Sequence, residues 1–347
     1  MLNNLLAASR AWGKRNAEMA ALPFLLVGVV LLLSVAIEIT SEGNVHFLSV
    51  ENFGAMAAQI PELGLLSLAM MVTMLTAGIN LSIISSANLV GVTMAITMLT
   101  FGPGAASAGL TLPLIVLTIV GGLLFSVLLG LFNGLLIAKL KITPVLATLG
   151  TMILYEGLTL AITKGYVISG MPEEFLVIAS GDVFGVPYAL IVFTVAAVVM
   201  AYVLQRRPFG RQLYMLGSNQ TAASFSAVNI DRVILKTYML SGLLVGLAAI
   251  IMLSRFSSAN ARQGTSLLLV TVLIAVLGGT DPDGGFGKVL GLVMALVIMQ
   301  CITSGLNLLG ISSFLTLGLW GALLIGVIAY RSYRAKNPGN RPKSVSA

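Results

Sequence analysis

Five polar side chains lie inside apolar stretches of the chain, where few other groups could act on a solute. Asn80, Ser82, Asn88 and Asn307 carry amides or a hydroxyl, and Glu156 carries a carboxylate. Amides and hydroxyls can hydrogen-bond to a neutral, polyhydroxylated solute, and an ionisable group in an apolar segment is by default a functional candidate. Structural alternatives stay open: a simple turn for Asn80 and Ser82, a buried or paired acid for Glu156, and helix–helix hydrogen bonding for Asn307.

Several other kinds of chemistry are excluded by residue type. The single cysteine, Cys301, allows no internal disulfide framework and no cysteine-based zinc site, and His46 is the only histidine. The nearest approach to an ATP-phosphate loop is Gly287-Lys288, but Val289 follows where Ser or Thr is required. We therefore expect no metal, no cofactor and no catalytic residues. The chain is predicted not to be an enzyme, and any energy must come from a partner or an ion gradient.

The amino-acid composition indicates which kind of secondary structure contains these residues. The 347 residues are 58% hydrophobic and 9% charged, whereas soluble domains carry about 25% charged residues. Such a chain cannot cover a water-exposed surface with polar groups. The predicted fold class is all-α, a polytopic membrane protein with about ten transmembrane helices in a single domain over residues 1–347.

Charges and turns divide the chain into ten predicted spans. The long charge-free stretch Leu63–Ala138 is cut into three by breaks at 78–82 and 101–104. The first stretch follows basic residues and is either a cleaved signal peptide or an uncleaved helix, and its length favours the helix. The predicted spans are Met19–Ile37, three within Leu63–Ala138, Ile142–Thr163, Val183–Gln205, Thr237–Ser254, Gln263–Thr280 and two within Val289–Tyr330.

The distribution of charge predicts the orientation. With ten spans and a cytoplasmic N-terminus, sixteen of the nineteen Lys and Arg residues lie inside, including a cytosolic loop at 206–236 and a basic cytosolic tail at 331–347. The opposite loops carry six acidic residues, Glu38, Glu42, Glu51, Glu173, Glu174 and Asp182. The positive-inside rule therefore predicts a multi-pass membrane protein with both termini cytoplasmic.

The 206–236 loop contains a possible docking element. Gly217 offers a tight turn, Asn219 can cap a short helix, and the small Ala222 and Ala223 would let that helix pack closely against another protein. The alternative is a solvated loop whose arginines only fix the topology.

Motifs in consistent order from about Asn52 to Tyr330 resemble one transporter family. They resemble the bacterial ABC-transporter permeases for monosaccharides, the ribose, xylose and autoinducer-2 group. The matching segments are Phe209-Gly210-Arg211, Gly217-Ser218-Asn219, Ala222-Ala223, Tyr238, Ser241-Gly242, Gly246, Pro144–Thr151, Val276–Thr280, Gly284-Gly285, Gly287 and Gly305–Gly310.

The resemblance implies a function and a set of partners. It implies the permease subunit of an ABC importer that moves a monosaccharide or related polyol across the inner membrane. The expected partners are a cytosolic ATP-binding-cassette ATPase docked on the 206–236 loop, a second permease subunit, an extracytoplasmic sugar-binding protein and the lipid bilayer, with no nucleic acid. The ATPase-coupling residues would be Gly217, Asn219, Ala222 and Ala223, and the candidate path is lined by Asn80, Ser82, Asn88, Glu156 and Asn307.

The chain departs from the family pattern at one motif. The family has Gly-Ile-Asp-Leu-Ser-Val-Gly-Ser, and this chain has Asn80 in place of the acid and Ile84 in place of the second glycine. The change removes a charge from the membrane region, which fits one half of a heterodimeric pore or a different polyol or sugar. A gradient-driven secondary transporter of a small polar solute remains the alternative, with Glu156 as its intramembrane acid.

Overall fold

Long apolar segments form helices throughout the described part of the chain. The computed structural model describes residues 22–39 and 46–336. Eight of its helices are long and apolar enough to cross a membrane. They are α1 (Leu22–Ile39), α2 (Val50–Met74), α3 (Ile83–Ser107), α4 (Thr111–Ala138), α5 (Pro144–Thr163), α7 (Tyr188–Arg206), α10 (Ile230–Phe256) and α12 (Val289–Leu308).

Shorter helices and two small ladders complete the described structure. They are α6 (Glu173–Ser180), α8 (Pro208–Ser218), α9 (Gln220–Phe225), α11 (Leu267–Leu277), α13 (Ser313–Lys336), β1 (Ile168–Ser169), β2 (Asp182–Val183), β3 (Val186–Pro187) and β4 (Ser258–Ala259). Strand β1 pairs antiparallel with β4, and β2 with β3. The apolar helices α11 and the first part of α13 bring the number of apolar helices in the described part to the ten that were predicted.

The two central helices of the bundle are α2 and α10. Between Leu65 and Leu75 every side chain of α2 is fully buried, as expected for a helix surrounded by other helices. Helix α10 packs along α4 through small residues: a Cβ added at Gly242 would lie 2.5 Å from the Ser126 carbonyl oxygen and 3.2 Å from the Cα of Gly130. Glycines allow the two backbones this close approach.

Several predicted boundaries are wrong, and each error has a physical cause. Helix α2 begins at Val50 and α10 at Ile230, well before the predicted starts, because Glu62 and Lys236 lie inside these helices and do not mark their ends. Helix α3 runs through Pro103 to Ser107, so the predicted break at 101–104 is displaced to residues 108–110. The predicted eighth span, Gln263–Thr280, is helical only over the eleven residues of α11.

Contacts define two ends of the bundle. At the basic end, Lys139 and Lys141 lie 3.2 and 2.7 Å from the two carboxylate oxygens of Asp231, close to α8 and α9. At the opposite end lie α6, both ladders and the connection between α10 and α11. The 206–236 region is not an open loop, because α8, α9 and the first two turns of α10 occupy it. The predicted 331–347 tail begins inside α13, and residues 337–347 lie outside the described part.

Candidate functional site

The predicted coupling residues sit on two short helices at the basic end. The side chain of Asn219 accepts a hydrogen bond from the Ala222 backbone N–H at 2.9 Å, so Asn219 caps α9 as predicted. Ala223 is 1% exposed and packs into its own chain, whereas Ala222 is exposed. Only one of the two predicted alanines is therefore available to a partner. Phe225, which the sequence analysis missed, is 87% exposed at the end of α9.

Gly217 is needed for close contact and not for a turn. It lies within α8, and a Cβ there would come 1.9 Å from the Leu75 carbonyl oxygen and 2.4 Å from the Gly285 nitrogen. Gly285 has φ +75° and donates its N–H to that same Leu75 carbonyl at 3.0 Å. The expected turn at Gly217 is wrong, because the residue lies where three segments of backbone meet.

We call this meeting point the coupling junction, formed by residues 75–77, 214–218 and 278–288. Tyr214 of α8 donates its hydroxyl to the Gly287 carbonyl at 2.7 Å, and burial raises the pKa of Tyr214 to about 12. The junction connects α8 directly to the end of α2 and to the connection between α11 and α12. A displacement of α8 would therefore act on three helices of the bundle.

The break after α2 is a buried polar network. The side-chain oxygen of Asn80 accepts hydrogen bonds from the Ser82 N–H at 3.1 Å and the Ser82 hydroxyl at 2.9 Å. Asn133 donates to the Ser82 hydroxyl at 2.8 Å, and Thr151 donates to Asn133 at 2.6 Å. Asn80 and Ser82 are 4% and 0% exposed. Irregular backbone at membrane depth is thus satisfied by protein groups, and in this conformation these two side chains bind each other.

The remaining candidates lie further along the bundle. Asn88 of α3 is buried and donates its amide to the carbonyls of Ala261 and Gln263, both at 3.0 Å. Glu156 of α5 forms an ion pair with Arg262, with Oε1 2.9 Å from Nε. The structure therefore brings Asn88 and Glu156 to one segment, the connection between α10 and α11. Asn307 is exposed near the end of α12, and its place in a path stays a prediction.

A second intramembrane acid was missed. Glu62 lies in the middle of α2 with a side chain 3% exposed, and its Oε2 is 2.9 Å from Nη2 of Arg255. Glu156, the one acid among the candidate residues of the sequence analysis, therefore shares this property with Glu62. The signal was present in the sequence, since Glu62 follows Pro61 between apolar residues, but the span was drawn to begin one residue later.

Comparison with known proteins agrees with this architecture. Residues 52–328 match the protein family described as "Branched-chain amino acid transport system / permease component". The ribose import permease protein RbsC of Bacillus subtilis (strain 168) is 36% identical over 314 residues, which cover 89% of this chain and 94% of that protein. RbsC of Haemophilus influenzae is 34% identical over 286 residues, covering 81% and 85%.

A relative with a different named cargo has similar identity. The autoinducer 2 import system permease protein LsrD of Enterobacter sp. (strain 638) is 33% identical over 277 residues, covering 78% of this chain and 81% of that protein. No solved structure matches the chain. The family match confirms the predicted resemblance and removes the secondary transporter as the alternative. The chain belongs to this permease family, and it is a pore-forming transport subunit of an ABC importer and not an enzyme.

Proposed function

We propose that the chain moves a monosaccharide or a related polyol across the inner membrane, driven by a separate ATP-binding-cassette ATPase. The observation that carries this proposal is the similarity to a ribose import permease over 94% of that protein's length. An extracytoplasmic sugar-binding protein would deliver the solute, and a second permease subunit would complete the pore.

Uncharged polar side chains support a neutral cargo. A small cleft between α3, α10 and the α10–α11 connection is lined by six apolar residues or glycines and by four uncharged polar residues, Asn88, Ser258, Asn260 and Gln263. These groups both donate and accept hydrogen bonds, which suits sugar hydroxyls. We propose that Asn88 and Glu156 line the path, and that Asn80 and Ser82 fix the chain break beside it.

The orientation follows from charge. Lys139, Lys141, Arg206, Arg207 and Arg211 lie at the basic end. We propose that this end faces the cytoplasm, because short loops rich in Lys and Arg are retained there. The acidic residues Glu173, Glu174 and Asp182 then face the side from which a binding protein approaches.

We propose that α9 is the docking element for the ATPase. Its exposed surface offers Ala222, which allows close approach, and Phe225, an aromatic side chain of the kind that anchors protein interfaces. Helix α8 directly precedes α9 in the chain and contributes Gly217 to the coupling junction. Force applied to α9 by the ATPase would reach α2, α11 and α12 through that junction.

The transport proposal is tested in sealed proteoliposomes that contain the chain, its ATPase and its binding protein. We expect uptake of labelled ribose or a competing monosaccharide only when ATP is supplied. Uptake that persists without the ATPase but disappears with an ion gradient would contradict it.

The docking proposal is tested with matched variants. Ala222→Glu and Phe225→Ala should release the ATPase during purification while leaving the amount of protein in the membrane near normal, because both side chains face outward. Arg207→Gln is the control, since it changes a topology charge and leaves α9 intact. Full retention of the ATPase by both α9 variants would refute docking at this helix. Ala223→Glu is a poorer test, because Ala223 is buried in the chain itself.

A further inference from the structure

The connection between α10 and α11 reaches into the helix bundle at the end opposite the basic one. We call residues 257–266 the plug segment. Helix α11 has eleven residues, so it is about 16 Å long at 1.5 Å per residue, whereas the hydrocarbon core is about 30 Å thick. The carbonyls of Ala261 and Gln263 reach Asn88, only six residues into the 25-residue helix α3. The plug segment therefore enters the bundle and does not run across its surface.

One side of the plug segment is exposed on the surface of this chain. Non-helical backbone at membrane depth occurs only where it is buried in protein or lines a water-filled cavity. The Arg262 side chain is 73% exposed, and Thr265 and Ser266 are also exposed. A guanidinium is costly in lipid, so the exposed side of the segment fits an aqueous path.

One ion pair holds the end of α10 that precedes the plug segment, and a second holds the segment itself. Arg255, in the last turn of α10, reaches Glu62 of α2, and Arg262, within the segment, reaches Glu156 of α5, each at 2.9 Å. The first pair is largely buried, with side chains 27% and 3% exposed, and the second is open, at 73% and 29%. Breaking the open pair leaves both charges in water, whereas breaking the buried pair leaves a charge without compensation.

The backbone of the plug segment makes a short ladder with β1 and has two residues in the left-handed conformation. Ser258 and Ala259 form strand β4, which pairs with only two residues of β1 on the connection after α5. Ser257 has φ +48° and Gly264 has φ +64°, so left-handed residues bracket the stretch between them. A two-residue ladder is among the weakest sheet contacts a protein can make. Residues 258–263 can thus separate from β1 while Arg255 stays in place.

We propose that the plug segment is the outer gate of the translocation path, held shut by the β1–β4 ladder and the Arg262–Glu156 pair, with the Arg255–Glu62 pair as its fixed base. Opening would break the ladder, the open ion pair and the two hydrogen bonds from the Asn88 amide to the Ala261 and Gln263 carbonyls, and would expose the cleft beside Asn88. This inference rests on the proposed transport function, which supplies the need for a gate.

A reversible disulfide tests the gate. Ser169 and Ser258 are directly paired across the β1–β4 ladder, which places their Cα atoms about 4.5–5.5 Å apart, within the range that a disulfide bridges. In a Cys301→Ala background, S169C/S258C should form a disulfide with the gate closed. The control is V183C/V186C, a paired position in the β2–β3 ladder at the same end of the molecule.

The readout is ATP-dependent uptake of labelled ribose in proteoliposomes with the ATPase and binding protein. The oxidised S169C/S258C protein should transport at about one tenth of the reduced protein's rate or below it. A reductant should restore uptake. The V183C/V186C protein should transport equally in both states. Normal uptake by the oxidised gate variant overturns the proposal, and so does a failure of that disulfide to form, because the closed ladder would then be absent. A parent protein that does not transport any monosaccharide tested would instead contradict the proposed function.

A second variant tests the latch. Glu156→Gln should raise the rate at which a membrane-impermeant maleimide labels S258C by about twofold to fivefold, because the closed state loses one exposed ion pair. Leu154→Gln, an exposed change on the same helix, should leave the rate unchanged. Equal labelling rates in the Glu156→Gln and parent proteins would show that the Arg262–Glu156 pair does not hold the gate closed.

Discussion

The coupling junction and the plug segment are built in opposite ways. At the junction, Gly217, Gly285 and Leu75 meet backbone to backbone, with no room for even one more methyl group. At the plug segment, long side chains span the gap, as in the Arg262–Glu156 pair. Close backbone packing transmits displacement because it cannot be compressed, whereas exposed ion pairs break at little cost. The difference suggests that one end of the molecule carries motion and the other responds to it.

Adding one carbon at Gly217 should have the largest effect on uptake. In Gly217→Ala the new Cβ must push α8 away from Leu75 and Gly285, an overpacking that costs about 1–3 kcal/mol. Uptake should be nearly abolished while the ATPase stays bound, because α9 is unchanged. The control is Gly121→Ala in α4, where a Cβ has no neighbour within 4 Å. Equal uptake by both variants would show that close packing at Gly217 is not needed for transport.

The two ion pairs of the plug region should differ in their effect on stability. Glu62→Gln leaves Arg255 without its counter-charge in a largely buried site, which costs about 3–5 kcal/mol. Glu156→Gln affects an open pair and should cost about 0–1 kcal/mol. Thermal unfolding in detergent checks this order. Similar midpoints for the two variants would mean that the Glu62–Arg255 pair is not a fixed base.

Loss of the Tyr214 hydroxyl should weaken the junction moderately. Tyr214→Phe removes the hydrogen bond to Gly287, worth about 1 kcal/mol. Burial raises the pKa of Tyr214 to about 12, above the unfolded value of about 10. The stabilisation is therefore complete below pH 10 and lost only as pH rises through 12. The stability difference between parent and variant should be constant from pH 6 to pH 9, and a change across that range would contradict this account.

The smallest effect should come from the cap of α9. Asn219→Ala removes the acceptor for the Ala222 N–H and should destabilise this six-residue helix by about 1 kcal/mol. Asn219→Asp keeps an acceptor and serves as the control. Retention of the ATPase should fall slightly in the first variant and stay normal in the second. Identical retention would show that docking does not need an ordered α9.

The fold was largely predictable from the sequence, because apolar length determines which helices can cross a membrane. The ends of the helices were harder to predict from the sequence. Glu62 and Lys236 marked predicted edges, yet both lie inside long helices. Glu62 can do so because Arg255, distant in sequence, neutralises it. A local rule about charge cannot anticipate a partner that tertiary packing supplies.

The site was predictable only in part. The cap at Asn219 is a local interaction and was found, whereas the burial of Ala223 depends on the packing of α9 against its own chain. Asn88 and Glu156 were correctly noted as polar residues in apolar helices. Their shared contact with the plug segment depends on how α10 and α11 are joined, which no residue pattern revealed.

One measurement tests whether the junction drives the gate. The rate at which an external, membrane-impermeant maleimide labels S258C is followed in proteoliposomes with the ATPase and binding protein, with and without ATP, in the parent and in Gly217→Ala. The account predicts that the labelling rate depends on ATP in the parent and is independent of ATP in Gly217→Ala, although the ATPase remains bound to both. The same dependence on ATP in both proteins would contradict the claim that the junction transmits motion from α9 to the plug segment.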